Sequence, residues 1–286
     1  MTRFGTLRVL PRDLFLAMAL ILCMLPIRVS AAPALDQAES AFAAGDFQQA
    51  ASLARSQGGA AGYAFAARAL IAYGDYVAPR DKACDIFRQA QSDARTALDL
   101  DPSFAPAHIY VAIALGFAAR AEGGLAAHLQ GLPGMAKMHI DRAIELNPGD
   151  PWAFAALGGW NLEISYAGGV FGEELYGASV KAGRNAYEKA LQLDPQAVLI
   201  RYQYALQLAA LGQAGMARDA RVQLAAIIAS SPHDAVERYT LAAARDLDRA
   251  LASGKADAVQ GIIHVRMGDP AILPDAGPAN PKGMGQ

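Results

Sequence analysis

Three stretches of this chain end in the same way. Asp93–Pro102 reads Asp-Ala-Arg-Thr-Ala-Leu-Asp-Leu-Asp-Pro, Asp141–Pro148 reads Asp-Arg-Ala-Ile-Glu-Leu-Asn-Pro, and Tyr187–Pro195 reads Tyr-Glu-Lys-Ala-Leu-Gln-Leu-Asp-Pro. Each is the last turns of an amphipathic helix, stopped by a proline that cannot donate the next helical hydrogen bond and that biases the residue before it out of the α region. A helix end that returns at intervals requires the chain to fold back each time. The feature therefore predicts an all-α stack of antiparallel helical hairpins.

The hairpins share a register. Ten residues beyond each proline comes a small residue preceded by an apolar one: Val111-Ala112, Leu157-Gly158, Tyr204-Ala205 and, after Pro232, Leu241-Ala242. The prolines lie 46, 47 and 37 residues apart, so the period is loose. Ahead of them, Leu35–Arg55 reads as two short helices joined at Gly45, Tyr63–Tyr73 as a helix, Gly74–Arg80 as a loop, and Asp81–Leu100 as the next long helix. Gln57–Gly62 interrupts the pattern with glycines. His233–Ser253 reads as a final helix that caps the stack, and Gln260–Met267 as a short extended segment or the start of another turn. The proline- and glycine-rich remainder reads as a disordered tail.

These residues resemble the tetratricopeptide (TPR) family, which pairs a small residue in the first helix with alanines in the second and a proline after it. Ala90, Ala94, Ala97 and Pro102 match the second-helix pattern, as do Ala136, Ile140, Ala143 and Pro148, and more loosely Gly183, Tyr187, Ala190 and Pro195. The resemblance spans Leu35–Ser253 and implies a TPR-like α-solenoid whose first helices line a concave groove. Carrying the family's groove positions over gives Ile109, Ile113 and Phe117, then Trp152, Gly159 and Glu163, then Tyr202 and Leu206, and last Tyr239 and Ala243. This set lacks the lysines and asparagines of members that clamp a peptide carboxylate, and suits an apolar peptide or a small amphipathic ligand. The excess over the family period falls in two glycine-rich insertions, Gly123–Gly134 and Ala167–Gly177. Within the second, Phe171, Leu175 and Tyr176 are candidate contacts, either at the end of the groove or packed back on their own hairpin. A weaker similarity, around Leu157–Glu163, is to the TPR-like components of TRAP-type solute transporters and implies ligand capture beside a transport system.

The N-terminus has the parts of a secretory signal: Arg3, Arg8 and Arg12, an apolar run from Leu14 to Leu25, then small residues at Val29–Ala34. Twelve apolar residues fall short of the about 20 that span a bilayer, so residues 1–34 are expected to be cleaved, after Ala31 or after Ala34. This implies a repeat domain over 35–253, a C-terminal segment over 254–286, and a periplasmic or secreted protein with no stable membrane span. Cys23 follows Leu22 rather than the small residue of a lipidation signal. Cys84 alone would remain, which excludes an internal disulfide and suits a buried, inert thiol.

Removing Arg3, Arg8, Arg12, Arg28 and Asp13 leaves 21 basic and 26 acidic residues, a balance that gives no electrostatic reason to bind nucleic acid. His108, His128, His139, His233 and His264 form no metal-binding spacing, and neither a phosphate-cradling glycine loop nor a nucleophile elbow is present. No catalytic residue, metal or cofactor is therefore expected. Glu163, in an otherwise apolar helix, calls for a partner or water. Two readings remain. One is a non-catalytic scaffold that binds an envelope protein or peptide through its groove, and the other a binder of a small apolar ligand. A cavity lined by Trp152, Trp160 and Phe171 favours the ligand, and an open groove the protein.

Overall fold

The structure, a computed structural model, describes residues 34–267. Residues 1–33 of the expected signal peptide, with the cleavage site after Ala31 and Cys23, and the tail beyond Met267 lie outside the described residues, whereas the alternative site after Ala34 falls at the first residue of the first helix, Ala34–Ala44.

Thirteen α-helices and no strand occur among the described residues. They pair as successive hairpins: α1 (Ala34–Ala44) with α2 (Phe47–Gln57), α3 (Gly59–Tyr76) with α4 (Arg80–Leu100), and α5 (Ala105–Glu122) with α7 (Leu132–Leu146) across the short α6 (Gly124–Leu129). Then follow α8 (Pro151–Tyr176) with α9 (Val180–Leu193), α10 (Val198–Leu211) with α11 (Met216–Ile228), and α12 (Ala235–Ser253) with α13 (Ala256–Met267).

The three proline-terminated ends are built alike. Asp101, Asn147 and Asp194, each just before its proline, leave the helix in an extended conformation, with φ of −146°, −142° and −135°. Each side chain then accepts a hydrogen bond from the backbone N–H two residues on, at 2.9, 3.2 and 3.0 Å. Proline thus sets the exit conformation, and the Asp or Asn closes the turn with its own oxygen. Small residues set the crossings. A Cβ on Gly158 would sit 2.6 Å from the Tyr187 ring, and one on Gly183 would sit 2.5 Å from Leu162, so α8 and α9 meet at a distance only glycine permits.

Both insertions are more helical than their glycines suggest. The first holds α6. The second continues α8 to Tyr176 beyond a break at Gly169, whose φ of +53° and ψ of −149° no ordinary helix contains. The interruption expected over Gln57–Gly62 is shorter, because α3 starts at Gly59, and Gly62 packs so closely on the Ala54 carbonyl that a Cβ would lie 2.5 Å from it. At the other end, α13 replaces the extended or turn segment expected over 260–267. Val259, Ile262, Ile263 and Met267 follow helical spacing, and Ile263 and Met267 are buried in the core of the preceding hairpins.

The last hairpin does more than cap the stack: it returns to the first. Ala235 and Val236 of α12 are buried in the same apolar cluster as Phe42, Phe47 and Leu70 from α1, α2 and α3. The Tyr76 and Thr240 hydroxyls are hydrogen-bonded at 2.9 Å, and Tyr239 stacks on Tyr76 with ring centroids 5.8 Å apart. Arg238 donates to the Ala44 carbonyl at 3.2 Å, and Arg266 to that of Asp75 at 3.5 Å. Gly45, with φ +103°, leaves room for this contact, since a Cβ there would be 3.1 Å from that of Ala235. No helix among the described residues is long and apolar enough to cross a membrane.

Candidate functional site: a cavity on the concave face

Because the last hairpin meets the first, the concave face becomes the wall of a cavity of about 520 Å³. First helices of successive hairpins supply most of that wall: α3 with Ile71 and Asp75, α5 with Ile113, Gly116, Phe117 and Arg120, α8 with Trp152, Gly159, Trp160 and Glu163, and α10 with Ile200, Gln203 and Gln207. Phe42 of α1 and Val236 of α12 complete the circuit, and Leu132, Pro133, Ala136 and Ile140 of α7 close one side.

Glu163 has the partner its sequence context demands. Arg120 grips it with two hydrogen bonds, Nε to Oε1 at 3.0 Å and a terminal nitrogen to Oε2 at 2.8 Å, and the Gln207 amide donates to Oε2 at 3.3 Å. Burial alone would lower the Arg120 pKa, but the charge and hydrogen bonds of Glu163, together with the charge of Asp75, raise it on balance. Gln207, almost fully buried, also accepts from the Tyr187 hydroxyl at 3.0 Å and donates to the Gly159 carbonyl at 3.3 Å. The result is a satisfied polar network set into an apolar wall. Arg68, exposed, lays its guanidinium over the Phe42 ring at 4.4 Å. Asp75 differs: no hydrogen bond or ion pair satisfies its carboxylate among the described residues, and burial raises its pKa despite the arginines nearby.

Of the groove positions expected from the sequence, Ile113, Phe117, Trp152, Gly159 and Glu163 line this cavity. The remainder lie elsewhere. Ile109 packs between its own hairpin and the next, against Ala143 and Ala153. Tyr202 and Leu206 are buried in the core of the C-terminal hairpins, as is Ala243. The lining positions on α10 are instead Ile200, Gln203 and Gln207, offset by about 100° per residue of register. Tyr202 turns towards the closing hairpin, where its hydroxyl is buried without a hydrogen-bond partner and burial pushes its pKa up to about 12. Tyr239 lies on the seam with Tyr76 rather than in the cavity. Phe171 is 73% exposed and outside the wall. Tyr176 instead holds the two insertions together, hydrogen-bonded to His128 at 2.5 Å and edge-on to Trp160. Cys84 is half-buried.

Apart from Glu163, the polar lining falls outside the groove positions expected from the sequence. Arg120 continues the stripe of Ile113 and Phe117 by three residues. Gln203 and Gln207, four apart in a mostly apolar helix, carry the helical spacing that marks one face. Asp75 follows Arg68 by seven residues, two turns along one helix, but a position read as loop hides that relation.

Away from the cavity, His108 and His139 form a hydrogen-bonded pair, Nδ1 to Nδ1 at 2.8 Å, while His108 Nε2 donates to the Pro102 carbonyl at 3.1 Å. That second bond requires His139 to donate and His108 to accept, and burial holds the His139 pKa down at about 4. No group of three or more metal-ligating side chains occurs among the described residues.

A family model described as regulator of microtubule dynamics protein 1-3 matches residues 34–244. No curated protein matches the chain.

Proposed function

We propose that this chain, which belongs to the regulator of microtubule dynamics protein 1-3 family, is a non-catalytic, TPR-like binding protein whose cavity holds a small apolar or amphipathic molecule. One observation carries this reading: the concave face is a walled cavity lined by Trp152 and Trp160, with one satisfied polar network set into an apolar wall. The TPR-like character rests on the repeated Asx-Pro turn and the small residues at the crossings. An exported, periplasmic setting rests on the N-terminal signal pattern.

The test uses Gly116, which lines the cavity with nothing within 4 Å of where a Cβ would point. Gly116→Leu fills space without a clash and replaces a poor helix former. Native mass spectrometry of protein isolated from its own cells should find a bound small molecule on the wild type and none on Gly116→Leu. Equal occupancy of both forms, or none on the wild type, would sink the reading.

A second reading, a scaffold for an envelope protein, is favoured by the insertions. Leu129, Val170 and Phe171 are each more than 70% exposed there, and Leu125 and Leu175 about half exposed. The family's description, a regulator, is compatible with action through a partner. Crosslinking in the cell envelope should then capture one protein with the wild type and lose it with Phe171→Asp, whereas Gly116→Leu should leave it in place.

A further inference from the structure

Four charged side chains lie on the cavity wall: Arg68, Asp75, Arg120 and Glu163. Arg120 and Glu163 neutralise each other through two hydrogen bonds, so neither requires a ligand. Arg68 is exposed and rests on Phe42, where water covers its charge. Asp75 alone is left: a carboxylate facing an apolar cavity with no hydrogen bond or ion pair among the described residues. Arg266, which is not among the lining residues, donates to the backbone carbonyl of Asp75 rather than to its carboxylate and lies over the Tyr76 ring at 5.5 Å. Asp75 is half-buried, so its carboxylate is only partly hydrated, and a bound cation would complete its charge pairing.

We propose that the cavity selects an amphipathic organic cation, whose ammonium group meets Asp75 while its apolar body lies along Ile113, Phe117 and Trp160. The inference rests on the cavity being a ligand site and adds the charge of the ligand. Burial raises the Asp75 pKa above the usual carboxylate range, outweighing the charges of Arg266, Arg120 and Arg80. An ammonium at hydrogen-bond distance would reverse that. A carboxylate or phosphate ligand would instead be repelled.

Trp152 and Trp160 are the chain's two tryptophans and both line the cavity, so intrinsic fluorescence reports on binding directly. The probes are dodecylammonium, 1-dodecanol and dodecanoate, each below its aggregation threshold. On the wild type, dodecylammonium should bind about tenfold or more tighter than dodecanol, and dodecanoate most weakly, a tenfold ratio being about 1.4 kcal/mol. Asp75→Asn should abolish the ammonium preference, leave dodecanol affinity unchanged, and not lower the melting temperature, since no bond is lost. Gly116→Leu should weaken all three, which locates them in the cavity. Equal affinity for the ammonium and the alcohol, tighter binding of dodecanoate, or an unchanged preference in Asp75→Asn would each overturn the inference while leaving the cavity a ligand site. If dodecanol also fails to bind, the ligand-site reading falls and this inference with it.

Discussion

The middle of the stack and its closing seam are held together by different means. Between α8 and α9, glycines at 158 and 183 let Tyr187 and Leu162 pack against bare backbone, and Leu162 is completely buried. Where α12 and α13 meet α1 and α3, the contacts are one hydroxyl pair, two arginine-to-carbonyl bonds from Arg238 and Arg266 and a stacked pair of tyrosines, around a small apolar patch at Ala235 and Val236. Consecutive hairpins share a long apolar stripe because they are neighbours in the chain. The first and last hairpins share only what their surfaces can spare, so the seam is the natural weak point of the circuit.

The comparison breaks if mutations at the two places cost the same. Leu162→Ala, in the middle, should destabilise the fold by about 3 kcal/mol, read as a lower denaturant midpoint with unchanged slope. Arg120→Met leaves Glu163 without its close partner beside the cavity and should cost about 2 kcal/mol, the pair's side chains being 16% and 22% exposed. The double change Arg120→Met with Glu163→Met should recover most of that loss.

Acid should act on the middle before the seam. The His139 pKa of about 4 lies below the 6.5 of an unfolded chain, so the unfolded state binds the extra proton. The stabilisation is complete above pH 6.5 and is lost as pH falls from there towards 4, by on the order of 1–2 kcal/mol after allowance for the half-exposed ring. Melting temperature against pH should be flatter over that window in His139→Leu. Tyr76→Phe, at the seam, should cost least, about 1 kcal/mol for one hydrogen bond. Its effect should show chiefly as faster hydrogen exchange in α12 and α13, and a loss as large as that of Leu162→Ala would show that the seam holds the stack.

How much could be read in advance differs between those two regions in the same way. The helix ends at Asp101, Asn147 and Asp194 were legible because proline and a preceding Asp or Asn act within a few residues of chain. Ile113, Phe117, Trp152 and Glu163 were legible because α5 and α8 keep the register that the prolines set. On α10 that register fails, because the helix is buried from a second side by the returning helices, which draws Tyr202 and Leu206 into the core and turns Gln203 and Gln207 to the cavity. The segment over 260–267 was misread because Val259, Ile262, Ile263 and Met267 show their helical spacing only when α13 is taken as a whole.

The sequence by itself determined the all-α hairpins, their exits and their crossings, since each depends on residues a few positions apart or on a glycine that admits one neighbour. Only the tertiary structure decided that the last hairpin returns to the first, that the groove is a cavity, and that Asp75 lines it with no hydrogen bond or ion pair to its carboxylate among the described residues. Those outcomes depend on the small rotation between one hairpin and the next, summed over the whole stack, and no single stretch of sequence encodes that sum.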